Sequence, residues 1–400
     1  MKREMDIKGI RKRYNSPAEA IETVFLFLLF LYTCIGILND SLLHLTFVVR
    51  FLNWGIPIVG VILFFYRNNG IPSAKKMGFA LIVLVAFFTA AKATGRYYLV
   101  LYAAFIIMAE GANPDKTLKV WLTGAVLSLM TVLVLCKTGR LTDFIVYNDQ
   151  KGAMHCLGFS YYSSFPFLLF YCSMAYIYVK KDDVHLYDYA FVGLVNLLIY
   201  QLTKLFLTYY LTVFFIVIDC LLVYIKKINL RKKPVMVISG LLFPLGAAAT
   251  CFAMVQYNPE DANWVALDRV LHFRLSLMHQ GFLRYPISLF GNRVEMTGYS
   301  ALRTVTPEDY FYIDSGFAYS LLGYGLIFTV AAVALYSLLC VYSCRNNNKH
   351  LFTWLVCVAI FTMMNNVWID VYWNPALLLS FAAYMEISEL FPRRGASAKF

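Results

Sequence analysis

Long apolar runs separated by short polar links dominate the chain. Twelve of them approach the ~20 residues that a bilayer-spanning helix needs: 21–38, 46–66, 77–92, 97–110, 117–136, 160–179, 187–202, 204–225, 234–255, 314–344, 351–368 and 375–391. The links include KATGRYY between the third and fourth runs and QLTK between the seventh and eighth. Only residues 256–313, between the ninth and tenth runs, form a long polar region. The pattern predicts an all-α, polytopic integral membrane protein of about 12 transmembrane helices, a single membrane domain over 1–400 with one large loop.

Basic residues set the expected orientation, because cytoplasmic loops carry an excess of Lys and Arg. With the N-terminus inside, the inside segments hold 23 of the 35 Lys and Arg residues and the outside segments 11. Both termini are therefore expected in the cytoplasm, and the 256–313 loop outside. That loop runs against the trend with Arg269, Arg274, Arg284, Arg293 and Arg303, and no lysine occurs between Lys233 and Lys349.

Composition supports the membrane reading: 60% of residues are hydrophobic and only 14% charged. The start MKREMDIKGIRKR leads into a full-length apolar run without a small-residue cleavage site, so no removable signal peptide is expected. Six of the nine cysteines, including Cys172 and Cys340, lie inside apolar runs, and no CxxC pair occurs. They are expected to pack rather than to form disulfides or bind metal. A net charge of +12 does not point to nucleic acid, because most basic residues flank apolar runs.

Within the outer loop, WVALDRVLHFRLSLMHQGF (264–282) has helical periodicity. On one continuous helix Asp268, Arg269, His272, Ser276, His279 and Gln280 fall within roughly 120° of one another, and Arg274 falls in the opposite, apolar arc. The segment is expected to be an amphipathic helix on the outer membrane face. Two readings of Arg274 stand: it snorkels to water along its own stem, or it points into a cavity and meets a fixed anion. Guanidinium is planar and presents paired donors that match phosphate oxygens. An arginine-only loop at headgroup depth thus suggests a phosphate or diphosphate, with Arg269, Arg284 and Arg293 as further candidates; local carboxylates and lipid headgroups are their alternative partners.

Other candidates share the expected outer side: Lys204 in QLTK, Arg96 in TGRYY, and Tyr161 and Tyr162 in KGAMHCLGFSYYSS. Tyrosines there either stack on sugar faces or belong to the interfacial aromatic belt. Asp314, in DYFYIDSGFAYSLLGYG, either caps a helix or handles a hydroxyl proton. The DVYWNP stretch adds Asp370, Tyr372 and Trp373. His272 and His279 lack a partner set at metal-ligand spacing, and no DxD, P-loop or GxSxG motif is present, so metal-independent chemistry without a cofactor is expected.

Together, twelve apolar runs, GF before the sixth, a basic residue opening a mid-chain run, one arginine-rich outer loop and then D-x-G-x-x-Y resemble the Wzy-type polysaccharide polymerases, relatives of the O-antigen ligases. GFSYYSS stands where many members have a GF-x-N-P-N-like stretch. QLTK stands at a Ser-Arg-Thr-like motif, with Lys204 replacing an arginine, and HFRLSL stands near a usual Gly-Arg. The resemblance implies an enzyme of the bacterial cytoplasmic membrane. Its donor would be an undecaprenyl-diphosphate-linked oligosaccharide and its acceptor a sugar hydroxyl of another lipid-linked repeat unit. Arg274, Asp314 and His272 would serve catalysis; Arg269, Arg284, Arg293, Lys204, Arg96 and Tyr161 would bind diphosphate or sugar. Membrane lipids, a flippase and a chain-length regulator are the implied partners. Two other readings stay open: a ligase-like transferase with a different acceptor, and a flippase or transporter of lipid-linked oligosaccharide.

Overall fold

A computed structural model describes residues 17–148, 151–225, 228–300, 302, 305–306 and 309–389. Both chain termini, Arg303 and Glu308 lie outside the described residues, as does the expectation that both termini are inside. The first helices are α1 (Pro17–Asp40), α2 (Thr46–Arg67), α3 (Ala74–Thr94), α4 (Tyr98–Met108) and α5 (Pro114–Lys137). A β-hairpin, β1 (Ile145–Asn148) and β2 (Gly152–His155), precedes α6 (Ser164–Lys180), α7 (Leu186–Thr203) and α8 (Phe206–Tyr224). The second half holds α9 (Lys233–Gly240), α10 (Leu242–Gln256), α11 (Ala262–Val270), α12 (Arg274–Arg284), α13 (Gly316–Tyr319), α14 (Leu326–Arg345), α15 (Lys349–Met364) and α16 (Ser380–Ser388).

Among the described residues, seven helical runs are long and apolar enough to cross a membrane: α1, α2, α3, α5, α8, α9–α10 taken together, and α14. The remaining predicted runs also fall on helices, but these are shorter or less apolar; α4 has only 11 residues. Sequence-encoded caps mark several boundaries. Asn113 accepts the Asp115 and Lys116 amides ahead of Pro114 at the start of α5. Gly95 takes φ +72 to end α3. The expected turn at QLTK is present, with Lys204 at φ 53 between α7 and α8.

Three expectations need correction. The fold is mostly helical but not wholly so: within FIVYNDQKGAMH, taken as a link, Ile145–Asn148 pairs antiparallel with Gly152–His155, with Gly152 at φ +76. The 314–344 run is not one helix. After α13 the chain makes a π turn (Ser320–Tyr324) and breaks at Gly325, φ +89, before α14. The 256–313 loop inserts there. Leu326 and Ile327 donate their N–H groups to Ser288 and Leu289 carbonyls, and Asn292 N–H donates to Gly323 O at 2.9 Å. A Cβ on Gly291 would lie 2.1 Å from Gly323 O, so only glycine fits this crossing. The third correction, the break in 264–282, builds the site described below.

α15 sits against α6, α8, α10, α13 and α14, and α14 also packs on α3, α9 and α16. Most ion pairs among the described residues lie at the end that charge counting places inside: Lys76–Glu110, Lys180–Asp188 at 2.7 Å, Lys181–Asp115 at 2.5 Å, Arg345–Glu386 at 2.9 Å and His350–Asp219 at 2.7 Å. The opposite end holds His155–Asp143 and the looser Arg274–Asp314 contact. Its cations are therefore largely left without carboxylate partners.

Candidate functional site

His272 and Phe273 adopt φ 54 and 62, two consecutive non-glycine residues in the left-handed region. Such residues cost on the order of 1–2 kcal/mol each, so the surroundings must impose the turn. Asp268 does much of this. It is buried, and its Oδ1 accepts the Leu275 N–H at 2.8 Å and the Ser276 N–H at 3.2 Å, while Tyr257 O–H donates to its Oδ2 at 3.4 Å. The carboxylate thus caps α12, whose N-cap residue Phe273 has no capping side chain. At the other side of α12, His279 Nδ1 lies 2.9 Å from the Met254 carbonyl and ties the helix to α10. Asp268, His272 and His279 do not share one face of a continuous helix: the first is a cap, the second an exposed turn residue and the third a tie. The apolar-arc argument for Arg274 falls with that helix.

Arg274 nevertheless lands where a fixed anion would be held. As the first residue of α12 its Nε–H donates to Met364 O at 3.2 Å, and Nη1–H donates to Leu271 O at 3.2 Å. Its Nε stands 3.6 Å from Asp314 Oδ2. Asp314 is not the cap of α13. Ser315 Oγ accepts the Ala318 N–H instead, which leaves the carboxylate free to face the arginine. The Thr297–Phe311 bridge, with N–H···O distances of 2.8 and 3.0 Å, and Asn366 Nδ2 donating to Ile313 O and Tyr312 Oη at 3.3 Å, hold the strand-like approach to Asp314.

Lys151, at the tip of the β-hairpin, and His272 share this place. Lys151 Nζ sits 5.4 Å from the centre of the Phe206 ring, at the start of α8. Burial lowers the Lys151 pKa, and the positive Arg274 lowers it further. Burial, then Lys151 and Arg274, lower that of His272, which disfavours its charged form. Asp314 is pushed the other way: burial raises its carboxyl above the usual range, against the pull of Arg274. Tyr162 is raised by burial and by Asp314, and Tyr312 is raised to about 12 by burial, with Asp314 and Tyr161 adding to it. Arg274 therefore faces the Asp314 carboxylate, and Lys151 and His272 lie near enough to Arg274 to feel its charge. Such an excess of positive charge in a partly buried recess favours an anionic ligand.

The tyrosines continue into a second cluster. Arg96 lies 5.2 Å over the Tyr319 ring, and the Tyr102 hydroxyl donates to Asp370 Oδ1 at 2.9 Å. The Asp370 pKa is raised to about 6, by burial first, against the effects of Tyr102 and Arg96. Tyr372 O–H donates to Asp40 Oδ2 at 2.9 Å.

Of the residues expected from sequence, Arg274, Asp314, His272 and Tyr161 are brought together, and Arg96 sits in the adjoining cluster. The rest are placed elsewhere. Arg284 stacks 4.4 Å over the Phe311 ring. Lys204 Nζ donates to Gln201 Oε1 at 3.2 Å. Arg269 and Arg293 are exposed and make no hydrogen bond or ion pair with Arg274 or Asp314. Lys151, Tyr312 and Asn366 were missed. The only sequence signal for Lys151 was a lone lysine before a glycine in a polar link. Among the described residues no three His, Cys, Asp or Glu side chains could hold a metal ion, and the nine cysteines are free.

No family of known proteins matches this sequence, and no curated protein is significantly similar to it.

Proposed function

We propose that the chain is a polysaccharide polymerase of the Wzy type, which joins undecaprenyl-diphosphate-linked oligosaccharide units on the outer face of a bacterial cytoplasmic membrane. The observation that carries this reading is the Arg274 guanidinium beside the Asp314 carboxylate, which burial raises, with Lys151 close enough to Arg274 to feel its charge. A leaving diphosphate needs fixed positive charge as its negative charge grows, and an attacking sugar hydroxyl needs a base. In the proposed step the acceptor hydroxyl oxygen bonds to the donor's anomeric carbon, and its proton passes to Asp314. The bond from that carbon to the diphosphate oxygen breaks, and the electron pair leaves with the diphosphate against Arg274 and Lys151. Tyr161, Tyr162 and Tyr312 line the path of the sugars, where flat rings suit sugar faces. His272 stands at the rim as a hydrogen-bonding group. A flippase that delivers the substrate and a chain-length regulator are the partners this role requires.

The test uses the full chain in nanodiscs with undecaprenyl-diphosphate-linked repeat units. Release of undecaprenyl diphosphate with lengthening of the glycan supports the reading. Glycan transfer only to an acceptor that is not lipid-linked points to a ligase. Movement of the intact lipid-linked unit across vesicles without bond breakage points to a transporter, and either result overturns it.

A further inference from the structure

Two half-buried carboxylates take no part in the proposed reaction. Asp40 ends α1, and Asp370 lies in the 365–374 link after α15. Tyr372 O–H donates to Asp40 Oδ2 and Tyr102 O–H to Asp370 Oδ1, both at 2.9 Å. Tyrosine rings draw the two together. Tyr32, on α1, lies edge-on to Tyr372, 5.8 Å between ring centres, and to Tyr102, at 6.3 Å. A Cβ on Gly36 would stand 2.8 Å from Tyr372 Cγ, so glycine lets the link close on α1. Among the described residues neither carboxylate forms an ion pair. Asp370 is near enough to Asp40 to act on its charge, and Arg96 acts on Asp370. Ionised, these three groups leave one negative charge over.

Two further oxygens lack a partner among the described residues. Asn39 Oδ1 is one, and at 100° per residue Asn39, Tyr32 and Asp40 lie within roughly 100° of one another on α1. The other is the Tyr171 hydroxyl on α6, which is fully buried, and Asp370 is the charged group that acts on it. Polar groups left unpaired in such a place are costly. A proton would cancel the surplus charge but bond to a single carboxylate. One cation cancels the charge and gathers several oxygens at once. A surplus of one charge matches a monovalent ion, and a set of oxygens without nitrogen or sulfur suits a hard one.

We infer that Asp40, Asp370, Asn39 and Tyr171 form a site for one alkali cation, sodium or potassium, where α1 and α6 meet the 365–374 link. The site goes beyond the proposed reaction and does not rest on it. It touches that reaction through Asn366, which belongs to the same link and donates to Ile313 O, one residue ahead of Asp314. A cation on Asp370 braces the segment that holds the approach to Asp314.

The test measures ion binding to the full chain in nanodiscs of neutral phosphatidylcholine, with radioactive sodium and, standing in for potassium, radioactive rubidium. Saturable binding of either, one ion per chain and undisturbed by choline chloride, is expected. Asp40→Asn and Asp370→Asn each remove the surplus charge and should weaken that binding by about tenfold or more. Glu295→Gln, at an exposed carboxylate of the 256–313 loop, should leave it within about twofold. The melting temperature of the unaltered protein should rise as sodium or potassium chloride replaces choline chloride at constant ionic strength, because the ion binds the folded state. Asn39→Ala removes an oxygen and no charge, so it locates the site even where an aspartate variant fails to fold, and it too should weaken binding. No saturable binding of either ion overturns the inference and leaves a proton as the counter-charge. Binding undiminished in the Asn39 and aspartate variants puts the ion elsewhere and overturns it as well. Neither result touches the polymerase reading, which stands or falls on diphosphate release.

Discussion

Arg274→Lys keeps the charge and removes the geometry. A guanidinium has five N–H donors. Two of them are spent here, Nε–H on Met364 O and one Nη1–H on Leu271 O, both at 3.2 Å. Three remain, the second on Nη1 and both on Nη2, and the two anchors fix the plane in which they lie. An ammonium concentrates its donors on one atom. It cannot hold two carbonyls, one from the end of α15 and one from the turn before α12, and still present a paired face to a diphosphate. The loss should therefore be that of a charge-assisted hydrogen bond, ~1.5–3 kcal/mol, or roughly 10- to 150-fold in kcat/KM. The assay is undecaprenyl diphosphate release in nanodiscs, with thermal unfolding measured in parallel to confirm that the variant is folded. Arg269→Lys and Arg293→Lys, exposed arginines without site partners, should stay within about twofold. If Arg274→Lys also stays within about twofold, a point charge suffices there and the bidentate argument is wrong.

Asp314→Asn should abolish turnover while leaving undecaprenyl diphosphate binding intact; activity above a tenth of wild type, about 1.4 kcal/mol, would remove Asp314 as the base. Because burial raises the Asp314 pKa and a base must be deprotonated, activity should fall with decreasing pH at a midpoint above the usual carboxylate range near 4. For stability the sign is the reverse: the folded state holds this proton more tightly, so Asp314 costs stability as pH rises from that unfolded value to its folded one. Asp268→Ala uncaps α12 and should cost about 2–4 kcal/mol, read as a fall in melting temperature, with Asp268→Asn costing less because it keeps an acceptor. Gly291→Ala should prevent folding, since its methyl would overlap Gly323 O; a stable, monodisperse variant would show that the loop does not cross the α13–α14 break as described. Single cysteines at Ser300 and Asn229, in a background lacking the native nine, test orientation: an impermeant maleimide should label the first and not the second in intact cells.

The apolar runs were legible because hydrophobic length is a local property: each predicted run contains a helix, and charged or turn-forming links such as TGRYY and QLTK fall at the breaks. Periodicity could not reveal the left-handed turn at His272 and Phe273. Neither residue favours positive φ, and the turn exists because Asp268, four residues back, captures the amides of the next helix. The continuous wheel therefore put Arg274 on the wrong surface while still singling it out as a charge that needed a partner. That partner, Asp314, lies beyond the whole 256–313 loop, and the Gly291–Gly325 crossing, the Thr297–Phe311 bridge and Asn366 bring it near. Lys151 was invisible for a related reason, since its meaning comes from a hairpin tip that reaches the start of α8. Side-chain chemistry nominated the candidates, and backbone devices selected among them. Arginines that found an aromatic face, as Arg284 did on Phe311, stayed structural. Arg274, anchored by two carbonyls and given only one distant carboxylate, retains both charge and donors for a ligand. This also bears on why the loop uses arginine alone. At Arg274 and Arg284 the guanidinium serves two partners at once, a carbonyl pair or a ring on one side and the recess or solvent on the other, which an ammonium on a flexible stem does poorly.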